Sequence, residues 1–494
     1  MEFQQHLPFL SIFITLIAAI LIPLFNNKKM ARKLTLVSIS LVIILSIVLI
    51  SYLSNFSQGY FTYQLGHYPA PWGNELRAGL FEAIMALLFG VIMLLSICGG
   101  TSSIENDIKR EKQKYYYMML NLLMGSLLAL VYTNDIFTAY VFIEINAVAA
   151  CAIVIAKESG DTIKATIKYF IMSVLGSGLY LFAIAILYSL TGHLLMSNMK
   201  EAIISLPIGY EFPLMIAMVL IIVGLAVKSA LFPFHTWLPD AHGSATSSAS
   251  AILSGLVLKG YIILLIKIIY RVYGIEVIRN INILPIITIL GILGMIIGSI
   301  YALIQKDLKK MIAYSSVAQI GYIYLGIGFG TKAGLLAAGF HIIVHAATKS
   351  MLFLSSGNLI EISGSKKISD LDGVAYVDSI SGLSFLVGSL SMIGIPLFAG
   401  FISKLLFIDS AITSNYLQIS VLIALALSTL LNAMYYIPIV IRIYKKKDLK
   451  SFKLYKSKGI VKYSLITLII LNILLGLFSK PILTALIEGF KNIG

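Results

Sequence analysis

The sequence predicts an all-α integral membrane protein of about fourteen transmembrane helices, and three observations carry that reading. The chain is 59% hydrophobic and only 12% charged over 494 residues, with a mean hydropathy of +0.94. A soluble domain carries about 25% charged residues. Apolar stretches of about 20 residues, enough to cross ~30 Å of hydrocarbon as a helix, recur along the whole length. Basic residues gather in alternate loops, as the positive-inside rule expects. The two cysteines, Cys98 and Cys151, lie in apolar surroundings with no metal-ligand spacing, and a disulfide framework is not expected.

The first span, 7–26, has no basic segment ahead of it and no small-residue cleavage site, so it reads as a retained helix and not a signal peptide. The others fall at 33–53, 79–98, 115–133, 135–156, 165–190, 212–233, 246–272, 282–304, 309–329, 332–360, 378–407, 416–444 and 461–489. Loops after odd helices are basic. They carry Lys28, Lys29, Arg32 and Lys33; Lys109, Arg110, Lys112 and Lys114; Lys157 and Lys164; Lys306, Lys309 and Lys310; Lys366 and Lys367; and, after helix 13, Arg442, Lys445, Lys446, Lys447, Lys450 and Lys453. Loops after even helices hold little: Asp135, Lys200 with Glu201, and Lys332. The loop after helix 8, with Arg271 and Arg279, fits poorly. The alternation places both termini outside the cytoplasm, and a multi-pass cell-membrane location follows. It also accounts for the +15 net charge as membrane flanks, without nucleic acid.

No linker divides the chain, so residues 1–494 are expected to form one polytopic domain: peripheral helices 1–3 (1–114), a first repeat (115–272), a second repeat (282–444), then a basic cytoplasmic loop and the last helix (445–494). Two helices echo each other. Helix 7 contains GLAVKSALFPFHTWLP (224–239), with Lys228 five residues before Pro233; helix 12 contains GIPLFAGFISK (394–404), with Pro396 ahead of Lys404. Proline breaks a helix, and a break is tolerated inside a membrane only within protein or beside a watery cavity. Paired interruptions five spans apart point to inverted five-helix repeats, helices 4–8 and 9–13, with interrupted helices 7 and 12.

Ionisable groups within these spans are costly, ~2.5–3.5 kcal/mol each at mid-membrane on insertion scales. Lys228, Lys259, Lys349, Lys404 and Glu144 are all read as buried. Glu144, midway along helix 5, would serve either as helix-to-helix glue or as counter-charge to Lys228; the second is preferred, because an unpartnered amine at that depth sheds its proton. Lys259 lies about thirteen residues into helix 8, ~20 Å at 1.5 Å per residue, too deep to snorkel. Lys267, nearer the end of that helix, is expected to snorkel. His341, His345 and Lys349 recur every fourth residue on one helix face. They read as a relay in preference to a zinc site, since no carboxylate accompanies the histidines. Lys404 would terminate the relay. His235, Asp240 and His242, in FHTWLPDAH, stand at the cytoplasmic end of helix 7 as a proton inlet or a helix cap.

GLAVKSALFPFHTWLPDAHGSATSSASAILSGLVLKGY (224–261), HIIVHAATKSMLFLSSG (341–357), GIPLFAGFISK (394–404) and VFIE (141–144) together resemble the proton-conducting antiporter-like subunits of Mrp-type sodium/proton antiporters, respiratory complex I and membrane-bound hydrogenases. The resemblance spans essentially the whole chain, with motif order preserved. It implies a fourteen-helix fold with broken helices 7 and 12. Glu144 and Lys228 would be the coupled pair, Lys259, His341, His345 and Lys349 the central relay, and Lys404 the terminal group. It also implies membrane partner subunits. Lys404, where some subtypes carry glutamate, leans toward a D-like Mrp subunit or its hydrogenase-linked cousin. The short stretch after helix 14 argues against the family's long lateral extension. Glu82, where many relatives have aspartate, receives no role.

The expected function is therefore proton translocation within a multisubunit cation/proton antiporter. The alternative is a proton-pumping subunit of an NADH:quinone oxidoreductase or a membrane-bound hydrogenase. No GxGxxG, Walker, CxxC or paired haem-ligand pattern is present, so no cofactor, metal or catalytic centre is expected, and redox chemistry would belong to partners. A passive scaffold and a self-sufficient transporter are the remaining rivals.

Overall fold

The computed structural model describes residues 3–25, 27–56, 58–68, 73–207, 209–414, 417–446 and 457–493. Among these, twelve helices are long and apolar enough to cross a membrane. Two further spans complete fourteen: Leu308–Gly328, whose serines, tyrosines and lysines dilute its hydropathy, and the two-part helix 12. The expected basic cluster at Lys447, Lys450 and Lys453 lies outside the described residues.

Both expected interruptions are present. Helix 7 runs Glu211–Ser229 and resumes as Leu238–Ser244. Helix 12 runs Ser379–Ile393 and resumes as Ala399–Thr413, longer than its apolar pattern suggested. Each first half stops at a left-handed residue, Ala230 (φ 57°) or Gly394 (φ 91°). At each break a side chain from beyond it then donates to one carbonyl of the last turn. The Trp237 indole donates to Val227 O at 2.9 Å, and Lys404 Nζ donates to Ile393 O at 2.6 Å. Trp237 is held by stacking on Tyr169, centroids 4.1 Å apart. Gly400 is obligatory, because any Cβ there would overlap the Ser391 carbonyl.

Small residues let other helices touch backbone to backbone, the usual driver of packing in lipid. A Cβ at Gly176 would stand 2.8 Å from Gly224 O, and one at Gly224 2.6 Å from Gly176 O, so helices 6 and 7 are in direct contact. Helices 9 and 10 meet in the same way along Gly291, Gly298 and Gly321.

Four features depart from expectation. A two-stranded antiparallel hairpin, β1 (Tyr60–Gln64) and β2 (Glu75–Gly79), joins helices 2 and 3. Helix 14 bends at Phe478 into Gly459–Leu477 and the amphipathic Ser479–Lys491. Lys267 does not snorkel. It is fully buried, and its Nζ donates to the carbonyls of Leu130, Val131 and Thr133, capping helix 4. Arg271 is not a loop charge but a buried residue paired with Glu82 at 2.6 Å, which explains the poor fit of that loop to the charge alternation.

Candidate functional site

The helix 6–7 contact at Gly176 and Gly224 sets the first cluster. It brings Ser173 and Lys228, each about one turn away, to a 2.8 Å hydrogen bond. Glu144 Oε1 stands 3.8 Å from Lys228 Nζ, an ion pair without a direct hydrogen bond. Lys228 is 1% exposed, but Glu144 is 35% exposed and lies on the outer face of helix 5 between the exposed Val141 and Val148. Its Oε1, the oxygen that faces Lys228, is nonetheless buried. Helix 5 is apolar on every side, so its periodicity cannot mark the inward face. The Lys228 ammonium also lies 5.6 Å from the Tyr261 ring centroid, and Tyr261 donates to Asn146 at 2.9 Å.

Lys259 is fully buried. Its ammonium turns back to Ser254 O, at a π-helical turn over Leu253–Val257 that leaves that carbonyl accessible. From there polar contacts continue. Ser254 and Ser316 hydroxyls are 3.0 Å apart, Ser316 donates to Ile312 O at 3.1 Å, and Lys349 donates to that same oxygen at 3.1 Å. Lys349 also donates to Ser315 at 2.8 Å and Tyr436 at 3.2 Å. Tyr435 donates its single hydroxyl proton to Asn432 and lies 3.0 Å from the Ser315 hydroxyl, from which it can accept, and Asn432 donates to Met392 O at 3.2 Å, one residue from the carbonyl that Lys404 holds. Lys404 also donates to Thr429 at 2.9 Å.

The histidine face runs beside this series. His341 and His345 stack with centroids 6.0 Å apart, and His341 Nδ1 lies 2.7 Å from Ser403 Oγ, next to Lys404 in sequence. His341 Nε2 and both ring nitrogens of His345 are buried without a partner among the described residues. Buried polar atoms of this kind are normally satisfied by water. No cluster of three His, Cys, Asp or Glu suited to a metal occurs among the described residues.

The three inlet residues separate. Asp240 lies at the surface between Lys168 (2.8 Å) and Lys310 (3.3 Å). Burial alone would raise its carboxyl, but the two lysines outweigh that and hold it below the ordinary aspartate value. His235 packs against Tyr301 and Tyr314. His242 is fully buried on Phe353, with both ring nitrogens unpartnered among the described residues.

The lysines, histidines and Glu144 were visible in the sequence because charge is rare in apolar spans. Ser173, Ser254, Ser315, Ser316, Ser403, Tyr435, Tyr436 and Asn432 were not. Serine and tyrosine are common in such helices, and only their convergence on one lysine or histidine distinguishes them.

A polytopic bundle with two broken helices and lysines buried at or between the breaks defines a membrane module of the ion-transporter class. The chain belongs to the family described as NADH:quinone oxidoreductase/Mrp antiporter, transmembrane, whose model matches residues 133–432. It is 31% identical to NADH-quinone oxidoreductase subunit M of Rickettsia prowazekii, covering 99% of both chains. It is 27% identical to the putative antiporter subunit mnhD2 of Staphylococcus aureus, covering 90% of this chain and 88% of that one. Among solved structures it superimposes on a chain of the membrane-bound sulfane sulfur reductase, an archaeal respiratory membrane complex. The TM-score is 0.89 at 26% identity, covering 98% of this chain and 97% of that one. The expected family and helical membrane fold are thus both borne out.

Proposed function

We propose that the chain is the proton-translocating subunit of a multisubunit cation/proton antiporter of the Mrp type, in which proton flow drives sodium export. The observation that carries this reading is the run of buried polar contacts from Lys259 through Ser254, Ser316, Lys349 and Tyr435 toward Lys404, beside a separate cluster of Lys228 and its counter-charge. Lysines that deep are expensive. In this reading Lys228 takes up a proton, and its attraction to Glu144 sets how tightly the proton is held. Lys259, His341, His345 and Lys349 pass the charge onward through water and hydroxyls, and Lys404 releases it at the helix 12 break. Asp240, His235 and His242 lie on the uptake side. The two interrupted halves, 115–272 and 282–444, act as inverted repeats, each contributing one half-channel. Both termini face away from the cytoplasm.

The one-third-exposed Glu144 supports the subunit reading, because a carboxylate facing lipid is costly unless a neighbouring subunit covers it. A second assembly is favoured by one observation: the end-to-end match to a quinone oxidoreductase subunit. There, electron transfer in partner subunits would drive the same proton path.

The test is Lys228→Ala in the intact assembly, with proton transport followed in inverted membrane vesicles by a pH-sensitive dye. The reading expects assembly to survive and transport to fall at least about tenfold. Normal transport would refute it. Sodium-dependent dye response separates the antiporter from the redox-driven assembly.

A further inference from the structure

Four basic residues that are far apart in sequence converge at the end of the bundle opposite the lysine-rich loops. Lys200 comes from the short helix Met196–Ile204, Arg279 from Ile275–Asn280, Lys332 from the first turn of helix 11 and Lys491 from the last turn of Ser479–Lys491. They line one groove of about 590 Å³, a size that suits a small-molecule or headgroup ligand. Its remaining wall is apolar, with Tyr270, Leu335 and Phe490 among the residues that form it.

Among the described residues only one of the four cations in this groove has an ion-pair partner. Glu488 pairs with Lys491 at 2.7 Å. Among the described residues no carboxylate lies within ion-pair distance of Lys200, Arg279 or Lys332. Arg279 is fixed in place by donating to Gly330 O at 2.9 Å. Lys200 runs across the backbone at Gly274, where an added Cβ would sit 3.4 Å from its Cε. Partial burial and the neighbouring Arg77 charge push the Lys200 amine below its ordinary value, as expected where cations crowd without a counter-ion. The start of helix 11 faces the same groove. Thr331 caps it by accepting from Gly334 N at 3.0 Å, and the helix dipole there favours an anion. The positive-inside rule gathers lysine and arginine in the opposite loops, so the general preference for cytoplasmic lysine does not explain the convergence.

We propose that this groove binds the headgroup of an anionic phospholipid, with its phosphate among Lys200, Arg279 and Lys332 and its acyl chains against the apolar wall. The basic rim supplies charge complementarity and the apolar wall supplies the reason for a lipid over a free anion. The ligand would fasten the helix 8–9 connection, the start of helix 11 and the terminal helix to one another.

The test uses the full chain in its native membrane assembly, reconstituted with photoactivatable phosphatidylglycerol or photoactivatable phosphatidylcholine. Crosslinked peptides are then mapped by mass spectrometry. The expected result is at least about tenfold stronger labelling of the peptides around Tyr270–Arg279 and Thr331–Leu336 by the anionic lipid. The combined substitution K200Q/R279Q/K332Q should reduce it to the level of the neutral lipid. Should the triple variant fail to fold, Lys332→Gln alone should still lower the labelling severalfold. Equal labelling by the two lipids overturns the proposal, as does labelling that Lys332→Gln leaves unchanged. Complete displacement by millimolar inorganic phosphate would make this a free-anion site. Absence of lipid labelling together with a crosslink to a partner subunit would make it a protein interface. Either result overturns the lipid assignment.

Discussion

Lys228 Nζ lies 2.8 Å from the Ser173 hydroxyl but 3.8 Å from the Glu144 carboxylate. The lysine is thus hydrogen-bonded to a neutral partner and only loosely paired with its counter-charge. A pair at this distance can tighten or open without breaking the ladder of either helix. Removing the carboxylate should therefore matter more than removing the hydroxyl. Glu144→Gln is expected to lower proton transport at least about tenfold, and Ser173→Ala only about two- to threefold, since a neutral hydrogen bond is worth about 1 kcal/mol or less in net terms. Transport rates in vesicles with matched assembly levels check the order. Equal losses would place the function of the pair elsewhere.

The contact that creates this geometry is also testable. Gly224→Val would drive a side chain into Gly176 O, only 2.6 Å from the position of its Cβ. Overpacking of this kind costs about 1–3 kcal/mol. It should separate Lys228 from Ser173, so both thermal stability in detergent and transport should fall.

Glu82 and Arg271 form a buried pair, 1% and 2% exposed, and Arg271 also holds Ile493 O at 2.7 Å. Glu82→Gln leaves a guanidinium buried without its counter-charge, a loss of about 3–5 kcal/mol when one partner of a buried pair is removed. The variant should reach the membrane at reduced abundance and melt early, and the double variant E82Q/R271M should recover part of that stability. Recovery would mark the pair as structural, not part of the transport path.

Asp240 sits between Lys168 and Lys310, and its depressed carboxyl value means that it stays ionised throughout the neutral range. A depressed acid contributes its stabilisation above its unfolded value and loses it as pH falls through the folded one. The two bridges should therefore persist at neutral pH and fail only in acid below the ordinary aspartate range. All three side chains are about two-fifths exposed, so Asp240→Asn should alter stability by less than about 1 kcal/mol. Transport measured between pH 6 and pH 8 should show no titration attributable to Asp240. If it forms part of the inlet, the variant lowers the rate evenly across that range.

Much of this architecture was legible in the chain itself. The breaks at Pro233 and Pro396 were marked by proline beside glycine or lysine, and the spans by their length. Which side of helix 5 carries Glu144 is not legible, because a helix apolar all round carries no directional signal. Lys267 and Arg271 look like boundary charges in the sequence, because they stand near the end of helix 8; their partners, the helix 4 carbonyls and Glu82, come from remote segments. The β1–β2 hairpin is short, and its alternation was lost between two strongly apolar helices. The hydroxyl path was illegible for a similar reason: Ser254 and Ser316 become neighbours only once helices 8 and 10 pack.

Lys259 offers the most direct test of the central claim that buried amines carry protons across this chain. It is fully buried, and among the described residues its ammonium is bonded only to a carbonyl of its own helix. Replacing a buried charge by an apolar side chain of similar shape is often neutral or stabilising. Lys259→Met should therefore melt at or above the temperature of the parent assembly, while vesicle proton transport falls at least about tenfold. A stable Lys259→Met assembly that pumps at the parent rate would contradict the account.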